Sequence, residues 1–198
     1  MMNLKHETAK LLAGASHRIA ELVAGSAFDF WQRKDFRLYV EFSRLNQTEQ
    51  DRMFNELEVS ILGLFMLQFD HAIETLKEEE KKLVFKSLKS DLPSAFLQLF
   101  IENGVEEKYI DIWKKLIDMR LKEYRADLKL ALKESSKWKE FQGSSEKIKI
   151  QWARIETITI DCLSHLRRGD VKKDDPLWKL LRKWFISLDT QLSPMMNI

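Results

Sequence analysis

The chain is short of the residues that turn or staple a backbone. Its 198 residues include 6 glycines, 3 prolines and a single cysteine. Cys162 alone cannot close a disulfide within the chain, and a lone thiol points to a reducing compartment, so a cytoplasmic location is expected. So little glycine leaves few positions for the positive-φ turns of hairpins. Strand-type alternation is missing too. Ile155–Ile160 is the one stretch rich in β-branched residues, and it lies between Trp152 and Leu163 at helical spacing. The most apolar segment, Val59–Phe69, has 11 residues, where a membrane span needs about 20. Near the N-terminus, Leu11–Ser16 and Val23–Ala27 have some signal-peptide character, but His17, Arg18 and Glu21 break the apolar run. A membrane partner is not expected.

An excess of one charge is also lacking. With 33 basic and 31 acidic residues the net charge is +2, too balanced to call for a polyanion. The last third is locally basic (Lys147, Lys149, Arg154, Arg167, Arg168, Lys172, Lys173, Arg182, Lys183), with Trp178 and Trp184 able to stack on bases. Asp170, Asp174 and Asp175 dilute it, and no helix-turn-helix pattern accompanies it. A solvated face is the simpler reading, and nucleic acid is not expected as a partner.

Chemical motifs are absent in the same way. There is no phosphate-binding glycine loop and no nucleophile elbow. Gly143-Ser144-Ser145 before a helix reads as a linker with a serine cap rather than an anion site. Di-iron bundles need Glu three residues before His, but His6, His17, His71 and His165 are preceded at that spacing by Asn3, Gly14, Gln68 and Cys162. His71 with Glu74, and Asp161 with His165, share helical faces. They could offer four metal ligands if their two helices adjoined. Cys162 and His165 lie on neighbouring faces of one helix, but Ile158, Leu163 and Leu166 surround the thiol, which reads as core. No catalytic residue, metal ligand or cofactor is therefore nominated, and the balance leans against an enzyme.

What remains is rich in apolar side chains at a period near 3.6. Hydrophobic residues make up 44% of the chain, including 12 Phe, 6 Trp and 7 Met, enough for a sizeable core without staples. The spacing predicts an all-α protein, an antiparallel bundle of about seven helices of unequal length, in a single domain 1–198. Gly143–Ser145 divides it into a core 1–142 and a C-terminal helical pair 146–193. The expected helices are 4–23, closed by Gly25; 27–45; 48–88, opened by a capping box at Thr48–Asp51 and bent near Glu78–Lys82; a short one from Asp91–Pro93 to Glu102; 106–141; 146–166; and one begun by Asp175-Pro176 and ending before Pro194. In the second, Phe28, Trp31, Leu38, Tyr39, Phe42 and Leu45 form the apolar face, with Phe30 and Phe36 off it.

Two functional readings stay open. The first is a non-enzymatic protein acting through protein–protein interaction or self-association, as a homodimer. Its support is the apolar residues off the principal helix faces (Phe30, Phe36, Met119). Its candidate surface is the basic amphipathic C-terminal helix, with Trp178, Arg182, Trp184 and Phe185, although such a helix usually docks on its own bundle. The alternative is a binder of a small apolar ligand in an inter-helix pocket lined by some of Phe28, Trp31, Phe65, Met66 and Trp113. A dispersed active site would announce itself as a buried, convergent polar cluster.

Overall fold

A computed structural model of the protein describes residues 2–135, 144–169, 171–172 and 174–192. Among the described residues seven α-helices follow one another: α1 (Met2–Trp31), α2 (Lys34–Tyr39), α3 (Gln47–Thr75), α4 (Glu79–Glu102), α5 (Glu107–Ser135), α6 (Glu146–Leu166) and α7 (Pro176–Leu192). A 3-10 turn at Phe42–Arg44 joins α2 to α3. The described residues contain no strand, so the all-α expectation holds. None of their helices is long and apolar enough to cross a membrane.

The centre is α3. From Met53 to Phe69 nearly every side chain is buried, because neighbours cover the helix on all sides: α1 and α4 on one flank, α5 and α6 on the other. The remaining contacts close the bundle, with α1 lying along α4 and α7 along α6. At Gly63 the crowding is tightest. A Cβ there would fall 2.5 Å from Cδ2 and Cε2 of Tyr124 and 3.3 Å from Cδ1 of Ile158. The missing side chain is what lets α5 and α6 approach α3 together. Tyr124 is fully buried, and its hydroxyl shares a 3.1 Å hydrogen bond with Ser60, one turn before Gly63.

Helix boundaries depart from the sequence expectation where burial overrules local signals. Gly25 does not end the first helix; α1 runs on to Trp31, because Val23, Ala27 and Phe30 continue the buried face begun by Ile19 and Ala20. The second expected helix is thereby divided, its first residues joining α1 and the rest forming α2 and the 3-10 turn. Phe30 and Phe36 are not off-face residues but core, 1% and 0% exposed, while Phe28 and Leu38 point outward. The cap of α3 is Asn46, whose side chain accepts from Glu49 N at 2.9 Å, two residues before the expected capping box. The long third helix is broken at Leu76–Glu78, and α4 passes straight through Asp91 and Pro93. Proline inside a helix forfeits one backbone hydrogen bond. Here Phe85, Leu88, Leu92, Phe96 and Phe100 form one buried stripe spanning it, and burying them outweighs that loss.

The C-terminal pair begins where the sequence placed it. Ser145 caps α6, accepting from Ile148 N. Asp175 accepts from Leu177 N at 2.9 Å and is clasped by Arg167 through two bonds of 2.8 and 3.0 Å. Residues 136–143, which hold the end of the expected fifth helix and Gly143 of the expected linker, lie outside the described residues. α7 docks on its own chain: Leu177, Leu181, Phe185 and Leu188 are buried, and Trp184 stacks on Phe30 at 3.9 Å between ring centroids.

Two measurements test this arrangement. Gly63→Ala should destabilise by roughly 1–3 kcal/mol, although alanine is the better helix former by about 1 kcal/mol. Gly25→Ala, with nothing within 4 Å of the added methyl, should instead stabilise by roughly 0.5–1 kcal/mol. Urea titrations in which the two variants shift in the same direction would contradict the close approach at Gly63. Trp184→Ala should cost roughly 3–5 kcal/mol, and iodide should quench the wild-type Trp184 indole poorly. Unchanged stability together with a readily quenched indole would mean that α7 is not docked.

Candidate functional site

Two buried polar groupings and one apolar cavity surround α3. The first grouping ties α3 to α5 and α6. Glu56 receives two bonds from Arg120, 3.0 Å from Nε and 2.6 Å from Nη2, and Arg120 Nη1 donates to Glu123 at 3.1 Å. His165 Nε2 lies 3.1 Å from Glu123 Oε2, off the line a hydrogen bond needs. Burial and the Arg120 guanidinium hold the His165 pKa below its ordinary value, which keeps the ring neutral at pH 7. Asp161, one turn earlier, has a buried Oδ2 without a partner. Burial, and then the carboxylates of Asp127 and Glu123, push its pKa up to about 7.

This is the convergent cluster that an active site would require, but its ion pairs are closed on themselves. Cys162 is fully buried, and burial pushes its thiol up to about 12, so no thiolate forms beside His165. The two face pairs weighed as metal ligands do not meet. His165 sits beside the start of α3, where Arg52 donates to its carbonyl at 2.6 Å. His71 lies 19 residues beyond Arg52 on that helix, ~28 Å along the axis at 1.5 Å per residue. Among the described residues, no group of three or more His, Cys, Asp or Glu is placed to hold a metal ion.

The second grouping is a knot around Asp189 of α7, which is completely buried. Its Oδ1 accepts from Arg154 at 2.6 and 3.1 Å and from Gln68 Nε2 at 2.6 Å; its Oδ2 accepts from Gln151 Nε2 at 2.7 Å. One carboxylate thus joins α3, α6 and α7. The bond to Asp189 also fixes the amide of Gln68: a carboxylate can only accept, so the NH2 must face it and Oε1 must face away. That oxygen is buried and has no hydrogen-bond partner.

Gln68 is also a wall of the cavity. About 280 Å³ lies between α1, α3, α4 and the end of α7, lined chiefly by Ala15, Ile19, Phe65, Phe69, Phe85 and Leu88. Leu22 and Arg18 of α1 stand at its exposed rim. The wall is apolar because α1 and α3 face each other through small and aromatic residues: alanine at position 15 leaves the space that a larger side chain would fill. Gln68 and Arg18 are its polar members.

Of the pocket residues nominated from sequence, Phe65 lines this cavity. Met66 is buried in the core. Trp31 belongs to an aromatic cluster with Phe36, Phe42 and Phe54, and Trp113 to another with Phe96 and Phe100. Phe28 is 52% exposed. The nominated surface residues of α7 divide. Trp184 and Phe185 pack inward, while Arg182 is half-buried, bonded to Glu156 and lying over the rings of Trp152 and Trp178. Sequence reasoning passed over Gln68, Glu56 and Glu58, although polar residues inside an otherwise apolar helix were the available signal. No protein-family model matches the chain, and neither does any curated protein or solved structure.

Glu58 yields a test. It is 2% exposed, and burial alone pushes its pKa up to about 8. A carboxyl whose folded pKa exceeds its unfolded value stabilises fully below the unfolded pKa, near 4, and loses that contribution as pH rises to the folded one. Asp161 acts in the same sense up to about 7. The depressed histidines His71 and His165 work oppositely, but only below their unfolded value near 6.5. Stability should therefore fall between neutral pH and pH ~8.5. Glu58→Gln should flatten the fall and gain about 1–3 kcal/mol over wild type at the alkaline end. Parallel pH–stability curves for the two proteins would rule this out.

Proposed function

We propose that the protein binds a small apolar molecule bearing a hydrogen-bond donor, in the cavity between α1, α3 and α4. The observation that carries this reading is the combination at Gln68: a residue in the wall of an apolar cavity whose amide is held in orientation by Asp189 and whose oxygen is buried without a hydrogen-bond partner. A buried acceptor left unmade costs roughly 1–3 kcal/mol. A ligand that supplies the donor recovers that cost and gains the burial of its apolar body. Apolar cavities lined by Leu, Ile and Phe hold benzene at ~150 Å³, so 280 Å³ suits a molecule of about eleven non-hydrogen atoms. Arg18 at the rim has no carboxylate partner among the described residues, so it favours a ligand that is neutral or carries a negative group at its outer end. A cytoplasmic setting rests on the single buried thiol of Cys162.

Naphthol and methylnaphthalene are a matched pair of the right size, with and without a donor. Both should raise the melting temperature, by the equivalent of ~2.7 kcal/mol at a hundredfold excess over Kd. Naphthol should bind about tenfold more tightly. Ala15→Phe should fill the cavity and abolish both effects while leaving the helical circular dichroism spectrum intact. No stabilisation by either compound, or the same stabilisation in Ala15→Phe, would refute the site. Equal affinity for the two compounds would remove Gln68 from it.

A further inference from the structure

The cavity between α1, α3 and α4 carries its charge at the mouth. Among the described residues Arg18 is the one charged side chain in its lining, and it stands exposed at the rim. No described carboxylate pairs with it, as the ion pairs of α1 lie elsewhere. Glu21, at i+3, is the acid that would ordinarily answer it. The Glu21 Oε1 lies instead 3.7 Å from Nε2 of His17, which also lies 3.9 Å from Glu102 of α4. His17 thus has two carboxylates beside it, and neighbouring Arg18 has none of the described ones.

The inner wall is different. Gln68 is 4% exposed, and its partner Asp189 is already answered by Arg154 through bonds of 2.6 and 3.1 Å. An anion placed deep in the cavity would exchange water for apolar walls and a carboxylate whose cation is engaged, and burying an unpaired charge is costly. At the rim an anion keeps part of its hydration and gains a guanidinium. That group stays protonated, offers a planar fork that a carboxylate matches with two parallel hydrogen bonds, and is more weakly hydrated than an ammonium. One cation answers one negative charge, so a carboxylate fits better than a doubly charged phosphate.

We propose that the occupant of this cavity is an apolar carboxylic acid, with its body between the helices and its carboxylate on Arg18 at the mouth. The inference rests on the cavity reading above and adds to it the class of ligand and its direction. An ion pair at an exposed rim adds only modest affinity, so the apolar body supplies most of the binding. Arg18 selects and orients: the acid enters body first and leaves its charge outside.

The probes are naphthol, a hydroxynaphthoate with its two polar groups at opposite ends of the ring system, and the methyl ester of that acid. All three share the naphthol body, and only the acid adds a charge. Calorimetric titration at low salt should show the acid binding about fivefold more tightly than the ester. Salt at about 1 M, where the Debye length is ~3 Å, should bring the two together. Arg18→Gln should do the same at low salt, and Arg18→Lys should keep part of the difference. Arg18 is exposed and has no described ion pair, so both variants should keep the wild-type urea midpoint. Ala15→Phe should abolish binding of the acid. Equal affinity for acid and ester in the wild type, a difference that survives Arg18→Gln, or acid binding that survives Ala15→Phe would overturn the carboxylate assignment while naphthol binding still upheld the cavity. Failure of all three probes to bind would remove the cavity reading and this inference with it.

Discussion

The carboxylate of Asp189 is the constraint on which the rest of the structure turns. It is completely buried, yet it accepts from Arg154, Gln68 and Gln151, side chains of two other helices. Burying a charge is costly unless every lone pair is answered, and here the two oxygens take bonds from three side chains, Arg154 donating twice. The bonds are directional, so they set not only that α7 docks but where along α6 it docks. Trp184 then arrives on Phe30, and α7 closes the side of the bundle that α1 and α6 leave open. Removing the carboxylate would strand Arg154 in the interior, a change usually worth 3–5 kcal/mol, although a well-packed apolar replacement of the whole group can be neutral. A polar knot of this kind specifies one arrangement among several apolar ones, because sliding α7 by a turn would keep its leucines covered but leave the charges unmatched.

The same knot connects fold to site. An isolated glutamine in an apolar wall can rotate its amide to satisfy whichever atom finds a partner. Gln68 cannot, because Asp189 fixes the NH2 at 2.6 Å. The oxygen is left over as a geometric consequence, and the same residue forms part of the cavity wall, to which α7 contributes only Leu192. A side chain held in this way is ordered in advance, and groups already ordered add little to the cost of binding. The Glu56–Arg120–Glu123 group behaves differently. Its bonds close within α3 and α5, and the thiol and phenol beneath it are buried in their neutral forms.

Much of the fold was legible in the sequence, and the reasons for the remainder are local. Scarce glycine and proline and the 3.6 period were sufficient for an all-α bundle, and Asp175-Pro176 and Ser145 marked true helix starts because capping depends on a few adjacent residues. Gly25 and Pro93 misled for the opposite reason: each is a helix breaker by its own chemistry, and each is overruled by a buried stripe supplied by distant helices. Phe30 looks off-face only while α1 is thought to end at Gly25, and Phe36 only while 27–45 is read as one helix; the break after Trp31 gives α2 a phase of its own, in which Phe36 is the buried residue. The candidate site was less legible. Phe65 belongs to it, but Gln68 gains its meaning from Asp189, 121 residues away, and no periodicity in a single helix encodes that pairing.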